Sequence, residues 1–243
     1  MMATIGLALV LALGLGIALG LLTPRLLRTL PEPQSLPGEP GEPAELGEPG
    51  EPDRGEADQP KLPYAALATP RFALVVGGLA ALGCTVAGLL LPLPALPVWL
   101  ALSTFGMLLA AIDARTTWLP LPLTRVAWLA TALTLVAGGV LGNWGDALRG
   151  LGGFVVAGAL FGLVWLLTRG GFGFGDVRYA PLVGAATASV SWSLLAWALV
   201  LGSLVGAAVG LVRLAAGKRG AFAYAPSILA GGYLALLARW LLA

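Results

Sequence analysis

Beyond Pro63 the sequence is a succession of apolar runs, at approximately 72–91, 97–112, 122–141, 149–167, 179–192, 194–212 and 222–242, and a further run at 3–22 precedes them. Runs of this kind suit a hydrocarbon core about 30 Å thick, which an α-helix crosses with about 20 apolar residues. In lipid such helices satisfy their own backbone groups while the bilayer receives their apolar faces. The expected fold is therefore all-α, a polytopic transmembrane helix bundle of about eight spans. Composition agrees: 58% of residues are hydrophobic, 11% are charged and the mean hydropathy is +0.90, values that a water-soluble domain of this length would not carry. The weakest division is between 179–192 and 194–212, where Ser191, Trp192 and Ser193 offer only a slight turn.

Three regions follow: an N-terminal anchor at 1–29, a linker at 30–70 and the helix bundle at 71–243. The first run has no positive n-region and no small-residue cleavage site, and Arg25 and Arg28 follow it, so it reads as an anchor with its N-terminus outside. The linker repeats G-E-P at 38–40, 41–43, 47–49 and 50–52. Ala44 breaks the glycine register and the triplets are too few for a collagen helix, so an extended, solvated, disordered chain is expected. With eight spans, twelve of the fourteen basic residues fall on one side, leaving only Arg149 and Arg239 on the other. Positive residues mark the cytoplasmic face. The location read from this is the plasma (inner) membrane, multi-pass, with the lipid bilayer as surrounding partner and no nucleic-acid partner.

Functional residues are few. The absence of His removes Ser-His and Cys-His hydrolases and His-ligated metal sites, and the single cysteine, Cys84, removes disulfides and cysteine-cluster zinc sites. Of the twelve acids, nine lie in the linker: Glu32, Glu39, Glu42, Glu45, Glu48, Glu51, Asp53, Glu56 and Asp58. The remaining three are Asp113, Asp146 and Asp176. Asp146, in N-W-G-D, reads as part of an Asx turn or helix cap on the outer side. Asp113 ends the third span and Asp176 begins the sixth, so both are expected at the cytoplasmic edge. Ionisable residues at a membrane segment are functional candidates.

Asp176 follows a glycine-rich bend, G-G-F-G-F-G-D-V-R at 170–178, whose residues can adopt angles that other residues avoid. If spans three and six pack together, the two carboxylates cannot both ionise cheaply and share a proton. One then acts as base on water while the other, protonated, polarises a peptide carbonyl, and no metal or cofactor is required. Alternatives stay open on residues alone. Each acid could cap a helix, or the pair could bind a proton or cation in a small transporter or channel. A helical ion pair of Asp113 with Arg115, or of Asp176 with Arg178, is disfavoured because residues two apart do not face each other.

The stretch 173–178, G-F-G-D-V-R, continuing to Gly184, resembles the G-x-G-D-x-K…G signature of the prepilin peptidases, the type IV leader peptidase family of membrane aspartic proteases. Ile112 and Asp113, followed by Leu119, Pro120, Leu123 and Thr124, are similar to that family's I-D-x5-[IL]-P-x2-[IL]-T motif. Tyr224, Ala225 and Pro226 resemble its P-F-G-P segment more weakly; the motif is degraded there and no chemistry is assigned to it. The family's cysteine-rich zinc-binding insert is replaced by the GEP linker, and Arg178 stands where Lys is usual.

The resemblance implies an aspartic endopeptidase with Asp113 and Asp176 as catalytic residues and pilin-like precursors as substrates, each a short basic leader followed by an apolar helix. Gly173, Gly175, Pro120 and Arg178 are the implied site-shaping residues. Gly170 and Gly171 are read as further positioning glycines. Some family members also methylate the new N-terminus, but nothing in this sequence reads as a methyl-donor site. Gly6, Gly14, Gly16, Gly202, Gly206 and Gly210 read as packing contacts, and the eight tryptophans as an aromatic belt.

Overall fold

The computed structural model describes residues 2–31, 62–168, 173–218 and 222–242. Among these the apolar runs form eight helices: α1 (Met2–Thr29), α2 (Pro70–Leu90), α3 (Leu93–Thr116), α4 (Leu121–Leu141), α5 (Trp144–Leu167), α6 (Phe174–Val190), α7 (Trp192–Ala215) and α8 (Ala225–Leu241). The linker's GEP repeats and nine acids, together with Gly170 and Gly171, lie outside the described residues. Helices α2, α3, α4, α5 and α7 are long and apolar enough to cross a membrane, which makes this a multi-pass helical membrane protein. At 17 residues each, α6 and α8 stand at the short end of the spanning range.

The sequence boundaries have identifiable causes. Thr69 caps α2 by accepting from the N–H of Phe72, with Pro70 in the first turn. The division between α6 and α7 is a single residue, Ser191, whose extended backbone ends one helix and whose hydroxyl caps the next by accepting from Leu194 N–H at 3.1 Å. Helix α1 runs past the expected end at residue 22 and includes Arg25 and Arg28. Asp146 lies in the first turn of α5, but the N-cap is Asn143, which accepts from Asp146 N–H at 2.9 Å and donates back to its carboxylate at 2.8 Å.

Tight packing is confined to three consecutive pairs, α1 with α2, α5 with α6 and α7 with α8. Small residues explain each, because without a hydrophobic drive between helices in lipid, backbones must approach closely to gain dispersion contacts. A Cβ at Gly16 would stand 2.6 Å from the Gly77 carbonyl, and one at Gly77 would stand 2.7 Å from the Gly16 carbonyl. A Cβ on Gly153 or Gly184 would collide with the backbone of the other, and one on Gly231 with Ala198 and Gly202. Gly206 lies against the Tyr224 ring, whereas Gly14 faces open space and is not a packing contact.

Helix α6 is the centre of the bundle. Every residue from Tyr179 to Ser189 is buried, while α5 and α7 expose Leu and Val side chains outward. Its modest apolarity has a physical reason: an element surrounded by protein needs small, close-packing residues rather than large lipid-facing ones. The tryptophan belt requires one correction. Trp144, Trp192, Trp197 and Trp240 are exposed near helix ends, but Trp99 is fully buried in the core, edge-on to Tyr233 at 5.5 Å between centroids.

Successive helices reverse direction, which gathers the C-terminal ends of α3, α5 and α7 and the N-terminal ends of α4, α6 and α8 at one end of the bundle. Among the described residues Arg25, Arg28, Arg71, Arg115, Arg125, Arg178, Arg213 and Lys218 lie toward this end, and Arg149 and Arg239 toward the other.

Candidate active site

Asp113 sits one turn before the end of α3. Thr117, in the left-handed conformation at φ 55°, closes that helix by donating its N–H to the Asp113 carbonyl at 2.7 Å. The buried Thr116 hydroxyl bridges the turn between the carbonyls of Ile112 and Trp118. Pro120 then caps α4, and the fully buried Thr124 donates its hydroxyl to the Pro120 carbonyl at 3.0 Å. The residues after Asp113 thus form a compact corner that fixes the end of α3.

Asp176 occupies the first turn of α6, where the positive end of the helix dipole favours an acidic side chain. Its carboxylate lies back over Gly173, where an added Cβ would stand 3.1 Å from Oδ2. Gly175 presents its bare backbone to Leu119, which an added Cβ would approach to 3.2 Å. The two corners, 117–120 and 173–176, therefore touch through Leu119 and Gly175. Gly173 has φ −63° and ψ 126°, an ordinary extended conformation. The expectation of special backbone angles is corrected at this residue: space, rather than conformational freedom, is what it supplies.

The structure brings the two acids together. Asp113 is 5% exposed and Asp176 7% exposed. The backbone N–H of Ala225, at the start of α8, donates to Asp113 Oδ2 at 3.2 Å, and Asp176 lies within electrostatic reach of both Asp113 and that N–H. Among the described residues neither carboxylate has an ion-pair partner. Arg115 is exposed, and the Arg178 guanidinium instead covers the Phe174 ring at 4.6 Å. Arg178 also contributes its backbone carbonyl, which accepts from Trp128 Nε1 at 2.9 Å and ties α6 to α4.

Sequence reasoning missed two groups. Ala225 was passed over because a backbone donor has no side-chain signature; its only signal is Pro226, a residue that favours the first turn of a helix and so marks where free N–H groups point. Tyr179, fully buried one turn after Asp176 and near both carboxylates, was hidden within an apolar run.

Two buried acids at one end of a helical bundle can hold a water between them or bind a cation. Comparison with known proteins narrows this. No curated protein and no solved structure matches the chain. The model of the type IV leader peptidase family matches residues 100–211, from the middle of α3 to the last turns of α7. Through this segment, which carries both buried aspartates and the corner that joins them, the chain is similar to the type IV leader peptidase family, the prepilin peptidases.

Proposed function

We propose that the chain is a membrane-embedded aspartic endopeptidase that removes the short basic leader of type IV pilin-like precursors at the cytoplasmic face. The similarity to that family over residues 100–211 supports a peptidase and so a hydrolase. The aspartic mechanism rests on one observation, the convergence of two buried carboxylates beside the Ala225 N–H. Asp113 and Asp176 share one proton. The Ala225 N–H and the positive end of α8 stabilise negative charge on Asp113, which suits it to take a proton from water. Asp176 then carries the shared proton and donates a hydrogen bond to the scissile carbonyl oxygen, making its carbon more electrophilic. Water oxygen bonds to that carbon as Asp113 takes a proton from the water, the carbonyl oxygen takes the shared proton from Asp176, and a tetrahedral diol results. Collapse breaks the C–N bond, and the leaving amine takes up a proton from the pair.

The basic residues clustered at this end fit a cytoplasmic location for the site and for the leader. An apolar precursor helix would lodge against the bundle with its scissile bond at the level of the acids. Gly173, Gly175 and Pro120 shape the two corners, and Arg178 anchors the start of α6.

The test is cleavage of co-expressed pilin-like precursors by the wild type, Asp113→Asn and Asp176→Asn, with membrane abundance measured for each. Shortening by the wild type alone is expected. Normal cleavage by either variant overturns the mechanism. A wild type that cleaves no precursor but conducts protons or cations moves the assignment to a transporter.

A further inference from the structure

Helix α3 is not uniformly wound. Residues Leu102–Gly106 form a π turn, flanked by α-helix on both sides. A π turn takes up one extra residue, and at 3.6 residues per turn this rotates everything beyond it by about 100° relative to a continuous α-helix. Asp113 lies seven residues beyond Gly106, two α turns, and therefore on nearly the same face. The direction in which Asp113 faces α6 and α8 is set by that turn.

Neighbouring helices hold the π turn in place. Tyr179 of α6 donates its hydroxyl to the Gly106 carbonyl at 3.0 Å, and Tyr233 of α8 shares a 2.6 Å hydrogen bond with Ser103. Tyr179 is fully buried, so without this bond its hydroxyl would be left unpaired in a dry core. It follows Asp176 by three residues, on the same side of α6. Gly106 accommodates the arrangement: a Cβ there would stand 2.7 Å from Leu102 Cδ1 and 3.5 Å from the Tyr179 oxygen.

We propose that Tyr179 is a positioning residue, whose hydroxyl locks the π turn of α3 so that Asp113 faces Asp176. The catalytic consequence rests on the two-aspartate reading above; the geometric tie does not. Its test uses the full chain with Cys84→Ser, so that Asp113→Cys and Asp176→Cys are the sole cysteines. The yield of a short bis-thiol crosslink between them is compared with Tyr179, Tyr179→Phe, O-methyltyrosine and p-aminophenylalanine at 179. Phenylalanine and O-methyltyrosine, which lack the donor, are expected to lower the yield several-fold at equal membrane abundance. The amino analogue, which keeps a donor, is expected to retain it. In the otherwise native chain, Tyr179→Phe is expected to lower kcat for precursor cleavage while leaving KM unchanged.

Equal crosslinking across all four side chains overturns the proposal, even where kcat falls. If the yields separate as expected but the native chain cleaves no precursor, the tie stands and the protease reading fails.

Discussion

The two ends of the bundle treat the same side chain in opposite ways. At one end Asp146 is neutralised: Arg149 binds its carboxylate at 2.6 Å and Asn143 donates to its other oxygen. The same guanidinium caps α6, donating to the carbonyls of Ala188, Ser189 and Val190, which have no partners within the helix. At the other end Asp113 and Asp176 are more deeply buried and close to each other, beside the backbone N–H of Ala225. An acid with a cation and a cap has its hydrogen-bonding capacity filled and serves structure. Acids buried against each other retain open capacity at a cost in stability, a combination found where chemistry is done.

The sharpest way to break this contrast is to neutralise acids one at a time. Asp113→Asn and Asp176→Asn are expected to lower precursor cleavage by roughly 10²–10⁴-fold, the scale of a lost acid or base. Asp146→Asn is expected to leave the rate near that of the wild type; comparable losses for all three would erase the distinction.

The next largest effect is on the element common to both ends. Gly184→Val, placed where Gly153 backbone touches α6, is expected to destabilise the bundle by about 3 kcal/mol through overpacking, read as a lower midpoint of thermal unfolding in detergent. An unchanged midpoint would mean that α5 and α6 are not tightly packed.

Arg149→Met removes the cap on the C-terminal end of α6 and leaves Asp146 without its cation. A loss of about 2 kcal/mol is expected, mostly from the uncapped carbonyls, because the exposed part of the ion pair is screened by solvent. Cleavage per folded molecule is expected to persist. A variant of full stability but no activity would place chemistry at the wrong end. The smallest effect is expected from Asn143→Ala, about 1 kcal/mol for a lost N-cap, again without a change in rate per folded molecule.

Much of the fold is legible in the chain because hydropathy acts locally. Each apolar run became a helix, and even the doubtful division at Ser191 was written in a hydroxyl that can cap a helix. Asp113 and Asp176 stand out in the sequence as candidates because so few acids lie outside the linker. The special backbone angles expected at Gly173 were not borne out, since its backbone is ordinary and its lack of a side chain makes room for a carboxylate. Trp99 looked like its seven counterparts, and only packing against Tyr233 distinguishes it.

By itself the sequence determined a helical membrane protein with two acids at helix ends, because a chain in lipid must satisfy its backbone within each segment. Only the tertiary structure decided that those ends meet. The Ala225 N–H reaches Asp113 across 112 residues of chain, and the Tyr179 hydroxyl reaches the π turn of α3 across 73. Such contacts depend on which small-residue faces pack together and on one extra residue wound into α3. A local pattern of apolar residues encodes neither.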